Sequence, residues 1–371
     1  MPFDDIAAVT AKKYVQPINR FMTDPKLLDP EIDLGDYSQK LWINTSWFGD
    51  PVYRQVYGFP CEYPTRILWY RKDLLNNDTE KKNFIKKYGY ELAPPTNFLQ
   101  LYNMAEFFTR DKGEKLAGET LKRNFYGIGI SGKRHWAVIG EWLEYSQSFG
   151  GGPWAGTVDN NNDIIVNRPE NVESLKAWVS LFRFAPPGCV DWYWDLKTTA
   201  FQKGKVAMAL AWNDQAYEVE NPKNSSVAGK MGYAVNPSKK FKMSHFGPWS
   251  WTVSAKSKNP EAAYLYMQWV RSKNIALKCA IEGAMPSRYS VYANPEVQKI
   301  PFMKATMEAL PHAMTGPVHL PEWGAMCQEL QLYLTKAHRQ EMTPKEALDT
   351  IAIKWKDILK TNLVYPADAA K

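Results

Sequence analysis

Trp212, Asn213 and Asp214 follow a short apolar run, residues 206–210, in the stretch AFQKGKVAMALAWNDQAY. No polar residue interrupts the run, which predicts a strand buried on both faces. Ligands of open α/β sheets bind at the carboxyl ends of the strands, so an indole followed by an amide and a carboxylate could stack on a ligand there and hydrogen-bond to it. A core tryptophan followed by an Asn-Asp helix cap explains the same residues. The sequence leaves both interpretations open.

Aromatic residues beside Gly, Pro or short polar residues recur at the ends of other predicted elements. The stretches are CEYPTR before a strand, RHW and SFGGGPW on either side of a helix, GPWSW at the start of a strand, and PEWGAM before a helix. Together they predict a cleft with indole faces as walls and hydrogen-bonding groups at its edges. Such a cleft suits a sugar, whose ring C–H faces are apolar and whose hydroxyls need donors and acceptors.

The stretch GIGISGK contains the glycine spacing of a nucleotide-binding loop but lacks its context. Gly127, Gly129 and Gly132 spell GxGxxG, yet Arg134 stands where a P-loop needs Ser or Thr. A dinucleotide fingerprint further requires a helix that opens at the glycines and an acidic residue about 20 positions on. Nucleotide binding is therefore not predicted.

Motifs for metal binding and catalysis are also missing from the sequence. The five histidines lack a spacing such as HExxH, and no GxSxG elbow marks a serine hydrolase. The four cysteines are far apart and form no CxxC pair, so buried thiols are expected at Cys61, Cys189, Cys279 and Cys327. We predict no catalytic residue, no cofactor and no metal. Paired carboxylates for glycoside hydrolysis stay possible, because any two acidic residues could meet in space.

The composition is that of an ordinary globular protein with an excess of aromatic residues. The 371 residues suffice for two domains, since single cores stop growing at roughly 250–300 residues. A net charge of +7 is spread along the chain without a basic stripe, so nucleic-acid binding is not predicted. No segment approaches the ~20 apolar residues of a membrane span, and the opening MPFDDIAAVTAKKY has no apolar signal core. The 15 Trp and 20 Tyr indicate aromatic-lined surfaces, although large cores also use Trp.

Helical and strand patterns alternate along the chain, which predicts an α/β protein. Strands are predicted in TRILWYR, VAMALAW, MGYAV and SWTVSA. Helices are predicted after an N-cap at Thr96, after Asn259 with Pro260 at the first position, and after a capping box from Thr343 to Glu346. Two apolar helix faces are predicted, consisting of Phe98, Leu101, Tyr102, Ala105 and Phe108, and of Leu348, Ile351, Trp355 and Ile358.

Several long segments, in this order, resemble the extracellular solute-binding proteins of ATP-driven (ABC-type) sugar importers, the group that includes maltose-binding protein. They are YGFPCEYPTRILWYRKDLL, YGYELAPPTNFLQLYNMAEFFT, FQKGKVAMALAWNDQAYEVENPKNSSVAGKMGYAVNPS, GPWSWTVSAKSKNPEAAYLYMQWVRS and EGAMPSRYSVYANPEV. The resemblance covers nearly the whole chain. It implies a two-lobed periplasmic-binding-protein-like fold of type II, in which the lobes close about a hinge on a ligand between them.

The resemblance also implies a set of ligand-binding residues and no catalytic ones. Three tryptophans are expected to stack on sugar rings, namely Trp212, Trp249 and Trp323. Their expected polar partners are Glu62, Tyr63, Asn213 and Asp214, and further candidates are Trp136, Arg134 and Arg288.

The lobes that the resemblance implies are each built from two segments. Residues 1–65 with 250–312 would form the N-terminal lobe, and residues 66–249 with 313–371 the C-terminal lobe. The opening stretch resembles the middle of the N-terminal lobe, so the first strand and helix of that lobe are expected to be missing, either because the sequence is a fragment or because the gene model starts late.

The implied partners are a carbohydrate and the permease subunits of an ABC importer, with the protein a monomer in the periplasm or outside the cell. Two alternatives stay open. The same fold could bind a non-sugar solute, such as a polyamine or a phosphorylated polyol. A glycan-cleaving enzyme would instead use Glu62 or Asp214 as acid or base.

Overall fold

The computed structural model describes residues 6–48 and 55–360. Its strands are Val15–Gln16, Trp47–Phe48, Gln55–Val56, Gly58–Glu62, Arg66–Arg71, Lys115–Leu116, Glu119–Thr120, Tyr126–Ile128, Val206–Trp212, Met231–Ala234, Ser244–His245, Trp249–Ser254 and Ala313–Met314. Its α-helices are Ile6–Ala11, Asn19–Met22, Gln39–Thr45, Lys72–Leu75, Asp78–Tyr88, Phe98–Phe108, Trp136–Phe149, Pro153–Gly156, Pro169–Ser180, Trp194–Gln202, Ala216–Glu220, Pro260–Val270, Lys273–Ile281, Tyr289–Tyr292, Pro295–Gln298, Met303–Ala309, Trp323–His338 and Pro344–Lys360. The four predicted strands are all present, within one or two residues of their expected ends.

Two sheets organise these elements. The larger sheet has the order Met231–Ala234, Arg66–Arg71, Val206–Trp212, Tyr126–Ile128, and only its last two strands are parallel. The smaller sheet is antiparallel throughout, with the order Val15–Gln16, Trp249–Ser254, Gly58–Glu62. A short connection joins the two sheets. Gly58–Glu62 of the smaller sheet ends four residues before Arg66–Arg71 of the larger sheet begins.

The larger sheet is buried on both faces, as the unbroken apolar run predicts. Leu68, Met208 and Leu210 pack into a core with the helices Phe98–Phe108, Trp136–Phe149, Pro169–Ser180, Trp323–His338 and Pro344–Lys360. Ile67, Trp69, Ala209 and Ala211 point to the opposite core, since side chains alternate along a strand. This sheet with the helices on its two faces is called the large lobe below.

The smaller sheet has its own core. The sheet and this core are called the small lobe below. Phe59 and Val253 of the sheet pack against Trp42 of the helix Gln39–Thr45 and against Tyr264 and Met267 of the helix Pro260–Val270. Separate cores of this kind are typical of two-lobed proteins.

One part of the predicted N-terminal lobe packs on the large lobe in the structure. Met303, Ala305 and Ala309 lie in the same core as Ile67 and Trp69 of the larger sheet, whereas the sequence boundary at 312 assigns them to the N-terminal lobe. The division of the chain at 65, 249 and 312 stays a prediction.

The predicted caps are found with one shift of position. Glu346 N–H donates to Thr343 Oγ1 at 3.2 Å and Thr343 N–H donates to Glu346 Oε2 at 2.8 Å, which confirms the capping box. The helix Phe98–Phe108 is instead capped by Asn97, whose Oδ1 accepts from Gln100 N–H at 2.9 Å. Thr96 is not the cap, because its own N–H and hydroxyl donate to the Gln100 side chain.

The glycine-rich stretch serves close packing. Gly127 lies in the strand Tyr126–Ile128, and a Cβ atom there would stand 1.8 Å from the carbonyl oxygen of Ala105 in the helix Phe98–Phe108. The glycine thus lets a strand and a helix backbone approach one another. The next helix begins only at Trp136, so the glycines do not open a helix.

We expect Gly127→Ala to lower the free energy of unfolding by at least about 1–3 kcal/mol, because the clash is with backbone that cannot rotate away. Gly324→Ala is the matched control. That position lies in the helix Trp323–His338 with nothing within 4 Å of the added atom, so the variant should be neutral or stabilised by up to about 1 kcal/mol. Urea denaturation measures both, and equal stabilities would refute the packing role of Gly127.

Candidate functional site

Two short segments cross between the two lobes and contact one another. Residues 63–65 lead from the smaller sheet to the larger one, and residues 246–248 lead back. Thr65 and Phe246 form an antiparallel bridge, and Gly247 N–H donates to the Pro64 carbonyl at 3.0 Å. Phe246 N–H also donates to the Met314 carbonyl at 3.2 Å, in the short strand Ala313–Met314. The strand ends of both sheets are thus held beside a common junction.

A cavity of about 400 Å³ lies at this junction. Side chains of both lobes face it, because Glu62 and Trp249 end and begin strands of the smaller sheet while Trp212 ends a strand of the larger one. Its described lining residues are Glu62, Pro64, His135, Trp136, Ile139, Leu143, Trp194, Trp212, Asp214, Gln215, His245, Gly247, Trp249, Thr315 and Trp323.

The structure brings together the three tryptophans that the sequence singles out. Trp212 and Trp249 reach the cavity from different sheets, and Trp249 is 43% exposed. Trp323 lines the same cavity but is only 1% exposed, since its ring also packs edge-on against Trp355 with centroids 6.2 Å apart. Trp323 is thus both a core residue and part of the wall.

Among the predicted polar partners, Glu62 and Asp214 line the cavity and two others lie beside it. Tyr63 is buried in the crossing segment, where its ring packs on Phe246 at 5.3 Å. Asn213 is fully buried, and its Oδ1 accepts from Thr65 N–H at 2.9 Å while its Nδ2 donates to Thr306 at 3.1 Å. Asn213 therefore ties the tip of the central strand to the crossing. It does not cap a helix with its side chain.

Of the three further candidates, one is among the described lining residues of the cavity and two are not. Trp136 lines the cavity at the start of its helix. Arg134 is exposed and is not among the described lining residues. Arg288 is fully buried in the small lobe, where its guanidinium bonds Asp36 at 3.2 Å and the carbonyls of Ile32 and Arg271 at 2.8 and 2.7 Å. Those contacts use Arg288 for structure, and it is not among the described lining residues either.

Buried charges lie directly behind the cavity wall. Arg66 contacts Glu141 at 3.2 Å and Glu144 at 3.0 Å, and Lys197 contacts Glu141 at 2.6 Å. Arg66 and Lys197 also both donate to the Leu210 carbonyl at 2.7 Å. These four charged side chains, called the ionic cluster below, join two strands of the larger sheet to the helices Trp136–Phe149 and Trp194–Gln202.

Opposite charges compensate one another within the ionic cluster. Burial alone would raise the pKa of Glu141, but Arg66 and Lys197 outweigh burial and lower it. Burial raises the pKa of Glu144 and lowers that of Lys197 to about 8. Two cations and two carboxylates at contact distance leave no large net charge behind the wall.

The ionic cluster also backs the aromatic wall. The guanidinium carbon of Arg66 stands 5.6 Å from the Trp212 ring centroid, and the His245 ring stands 5.5 Å from it. Burial and Arg66 lower the pKa of His245 to about 3, so the imidazole is neutral at pH 7. Trp212 is therefore held by neighbours on its protein side, while another part of it lines the cavity.

The edge of the cavity is acidic. Burial, followed by the charge of Glu62, raises the pKa of Asp214 to about 7. Burial also raises the pKa of Glu62, against the opposing charge of Arg271. Gln215 N–H donates to Asp214 Oδ1 at 3.0 Å. Two acidic groups that influence each other thus share one aromatic cavity, a combination typical of functional sites.

Sequence reasoning missed three aromatic members of the wall, namely His135, Trp194 and His245. His135 and Trp194 line the cavity with ring centroids 4.7 Å apart, and His135 Nδ1 caps the helix Trp136–Phe149 by accepting from Ala137 N–H. Trp194 begins a helix directly after Tyr193, so an aromatic residue at an element end could have marked it as it marked Trp212.

The described residues contain no group of three or more His, Cys, Asp or Glu side chains that could hold a metal ion. Cys61, Cys189, Cys279 and Cys327 are thiols and form no disulfide within the described residues. Cys189 and Cys327 are buried as expected, whereas Cys61 and Cys279 are only partly buried, so the expectation of four buried thiols is half right.

The sequence matches a known family and known relatives. A family model described as bacterial extracellular solute-binding protein matches residues 2–275. A curated relative, a probable ABC transporter-binding protein of Deinococcus radiodurans, is 30% identical over 258 residues, which are 68% of this chain and 56% of the relative. The chain thus spans little more than half the length of that relative.

Solved structures match over nearly all of the chain. A solute-binding protein of Agrobacterium radiobacter K84 in complex with ribitol has a TM-score of 0.79 at 24% identity, covering 96% of this chain and 84% of that one. The maltose-bound MalE3 protein of T. maritima has a TM-score of 0.78 at 20% identity, covering 96% and 83%. These likenesses confirm the predicted two-lobed, type II periplasmic-binding-protein fold.

We expect Lys197→Met to lower the free energy of unfolding by about 3–5 kcal/mol, because it keeps the side-chain volume but leaves the buried Glu141 with one cation fewer. Lys345→Met is the control, since Lys345 pairs with Asp349 on the surface and should contribute little. Urea denaturation gives both values. Equal losses would mean that the ionic cluster does not stabilise the large lobe.

We expect Asp214→Asn to stabilise the unliganded protein in a pH-dependent way. A folded-state pKa near 7 means that the folded protein holds a proton that the unfolded chain has lost, so the free energy of unfolding falls as the pH rises from about 4 to about 7. The variant should match the parent near pH 4 and exceed it by about 3–4 kcal/mol near pH 8, because the difference grows by ~1.4 kcal/mol for each pH unit between 3.8 and about 7. Urea denaturation at both pH values, with Asp357→Asn as control, tests this, and a pH-independent difference would contradict it.

Proposed function

This chain belongs to the bacterial extracellular solute-binding proteins, and we propose that it binds a carbohydrate or a polyol in the cavity between its lobes and delivers it to the permease of an ATP-driven importer. One observation carries the proposal. Trp212, Trp249 and Trp323 are far apart in sequence but line one cavity, with two carboxylates at its edge. Indole faces stack on sugar C–H groups, and carboxylates accept hydrogen bonds from hydroxyls.

The position of the cavity supports transport over simple storage of the ligand. Glu62 and Trp249 belong to the small lobe, while Trp212 ends the strand Val206–Trp212 of the large lobe and Asp214 lies two residues further on. A ligand that contacts both sets favours the arrangement in which the lobes are close together. The two crossing segments would serve as the hinge, and the closed lobes would present one surface to a permease.

The chemistry of the lining also separates solute classes. None of the described lining residues is Lys or Arg. A phosphorylated polyol is usually bound by Arg or Lys side chains, often as a bidentate pair. The described lining therefore favours a ligand without phosphate. Ribitol and maltose, the ligands of the two similar structures, are of that kind and mark the chemical range to be screened.

We propose that the protein works in the periplasm or outside the cell, as the extracellular family to which it belongs implies. No helix within the described residues combines the length and apolar character needed to cross a bilayer.

We expect Trp212→Ala to weaken sugar or polyol binding by at least about tenfold, equivalent to roughly 1.4 kcal/mol, because a stacking face is lost. Trp269→Ala is the matched control, since Trp269 is 57% exposed and is not among the described lining residues. Isothermal titration calorimetry with the ligand found in a thermal-shift screen of mono- and oligosaccharides and polyols measures both. No ligand in the screen, or equal affinities for the two variants, would count against the proposed function.

A further inference from the structure

We propose that the solute is an amino sugar or an amino polyol, whose ammonium group is held between the carboxylates of Glu62 and Asp214. The inference rests on the proposed function, because it specifies the chemical class of ligand for the same cavity. It goes beyond that function, because a carbohydrate site needs no charge preference. Stacking and hydroxyl recognition would still come from the tryptophans and the polar edge.

The charged side chains among the described lining residues of the cavity are acidic. Glu62 and Asp214 are its acidic members, and it includes no Lys or Arg among the described residues. The remaining titratable members, His135 and His245, are both held neutral, since burial lowers the pKa of each, to about 3 for His245. At pH 7 the lining thus contributes negative charge and no positive charge.

The charges behind the wall do not reverse this balance. Arg66 lies over the Trp212 ring and Lys197 donates to the Leu210 carbonyl, and both contact carboxylates of the ionic cluster. Lys133 lies over the Tyr193 ring at 5.5 Å, and its charge adds to burial in lowering the pKa of His135. The compensated cations Arg66 and Lys197 produce little field in the cavity, and the charge of the described lining itself comes from Glu62 and Asp214.

The neighbours of the two carboxylates are unequal. Glu62 feels the opposing charge of Arg271, whose Nη1 bonds the Cys61 carbonyl. Asp214 is acted on by Glu62 and by Asp195, which are both acidic. An ammonium placed beside Asp214 would relieve that repulsion, which a neutral hydroxyl cannot do.

The aromatic wall suits the same ligand. Five of the described lining residues are tryptophans, namely Trp136, Trp194, Trp212, Trp249 and Trp323. Indole faces attract cations as well as C–H groups, and an ammonium near carboxylates and indoles gains from both. Glu62 and Trp249 are partners across adjacent strands of the small lobe, so one carboxylate and one indole lie side by side.

The test compares ligands that differ only in the amine. 1-Amino-1-deoxysorbitol is paired with sorbitol, and glucosamine with glucose and with N-acetylglucosamine, in which the nitrogen is neutral. Calorimetry on the full chain at about pH 7.5 should show at least tenfold tighter binding of the free amines. Equal or tighter binding of the neutral ligands would overturn the inference while leaving the proposed function standing. Binding of none of these ligands, nor of maltose or ribitol, would overturn both.

Changing the pH and the carboxylates supplies an independent readout. An alkyl ammonium stays protonated from about pH 5.5 to about pH 8, while Asp214 loses its proton near pH 7. Affinity for aminosorbitol should therefore rise about tenfold or more across that range, and affinity for sorbitol should change by less than about threefold. A rise for both ligands, or for neither, would overturn the inference.

Asp214→Asn and Glu62→Gln should each remove the preference for the amine, by at least tenfold, and Asp214→Asn should also abolish the pH dependence. Asp357→Asn is the control, because it changes an exposed carboxylate far along the chain. This variant should keep both the preference for the amine and the pH dependence of binding. Melting curves of each variant establish that it is folded. Retention of the amine preference in folded Asp214→Asn and Glu62→Gln would refute the ammonium site.

Discussion

The contact of Arg66 with Glu141 and Glu144 is the interaction on which the site depends most. It lies at the start of a central strand, directly opposite Trp212 in the sheet register, and every side chain in it is buried. A buried charge without its partners would destabilise the lobe by several kcal/mol, so the helix and the strand that carry these residues must stay together. The guanidinium then fixes the Leu210 carbonyl and backs the indole of Trp212.

The crossing segment 63–65 is hydrogen-bonded to the residue that follows Trp212. Asn213 follows Trp212 and bonds Thr65 in both directions, through its side chain and through its N–H at 3.0 Å to the Thr65 carbonyl. The end of the central strand and the beginning of the crossing are thus one unit. Residues 63–65 and 246–248 are the short connections between the lobes, and the cavity beside them is lined by Trp249 and Glu62 from one lobe and by Trp212 and Asp214 from the other.

The two acidic groups of the cavity explain why such a site is costly to the empty protein and useful to a filled one. Burial and the charge of Glu62 hold the pKa of Asp214 near 7, so the unliganded protein is less stable at neutral pH than near pH 4. A ligand that supplies hydrogen-bond donors, and above all a positive charge, compensates that cost. The free energy that is recovered when such a ligand binds adds to its affinity.

Local patterns in the sequence determined the elements, and the tertiary structure decided which polar groups face the ligand. The strand around Met208, the Thr343 capping box and the strand ends that carry Trp212 and Trp249 follow from periodicity and capping, which depend on near neighbours in the chain. Trp194 shares the aromatic-at-an-end signal. Tyr63, Asn213 and Arg288 have ligand-binding side chains by type, yet packing against Phe246, Thr65 and Asp36 uses them internally. Such partners lie up to 252 positions away, and no local pattern encodes contacts over that separation.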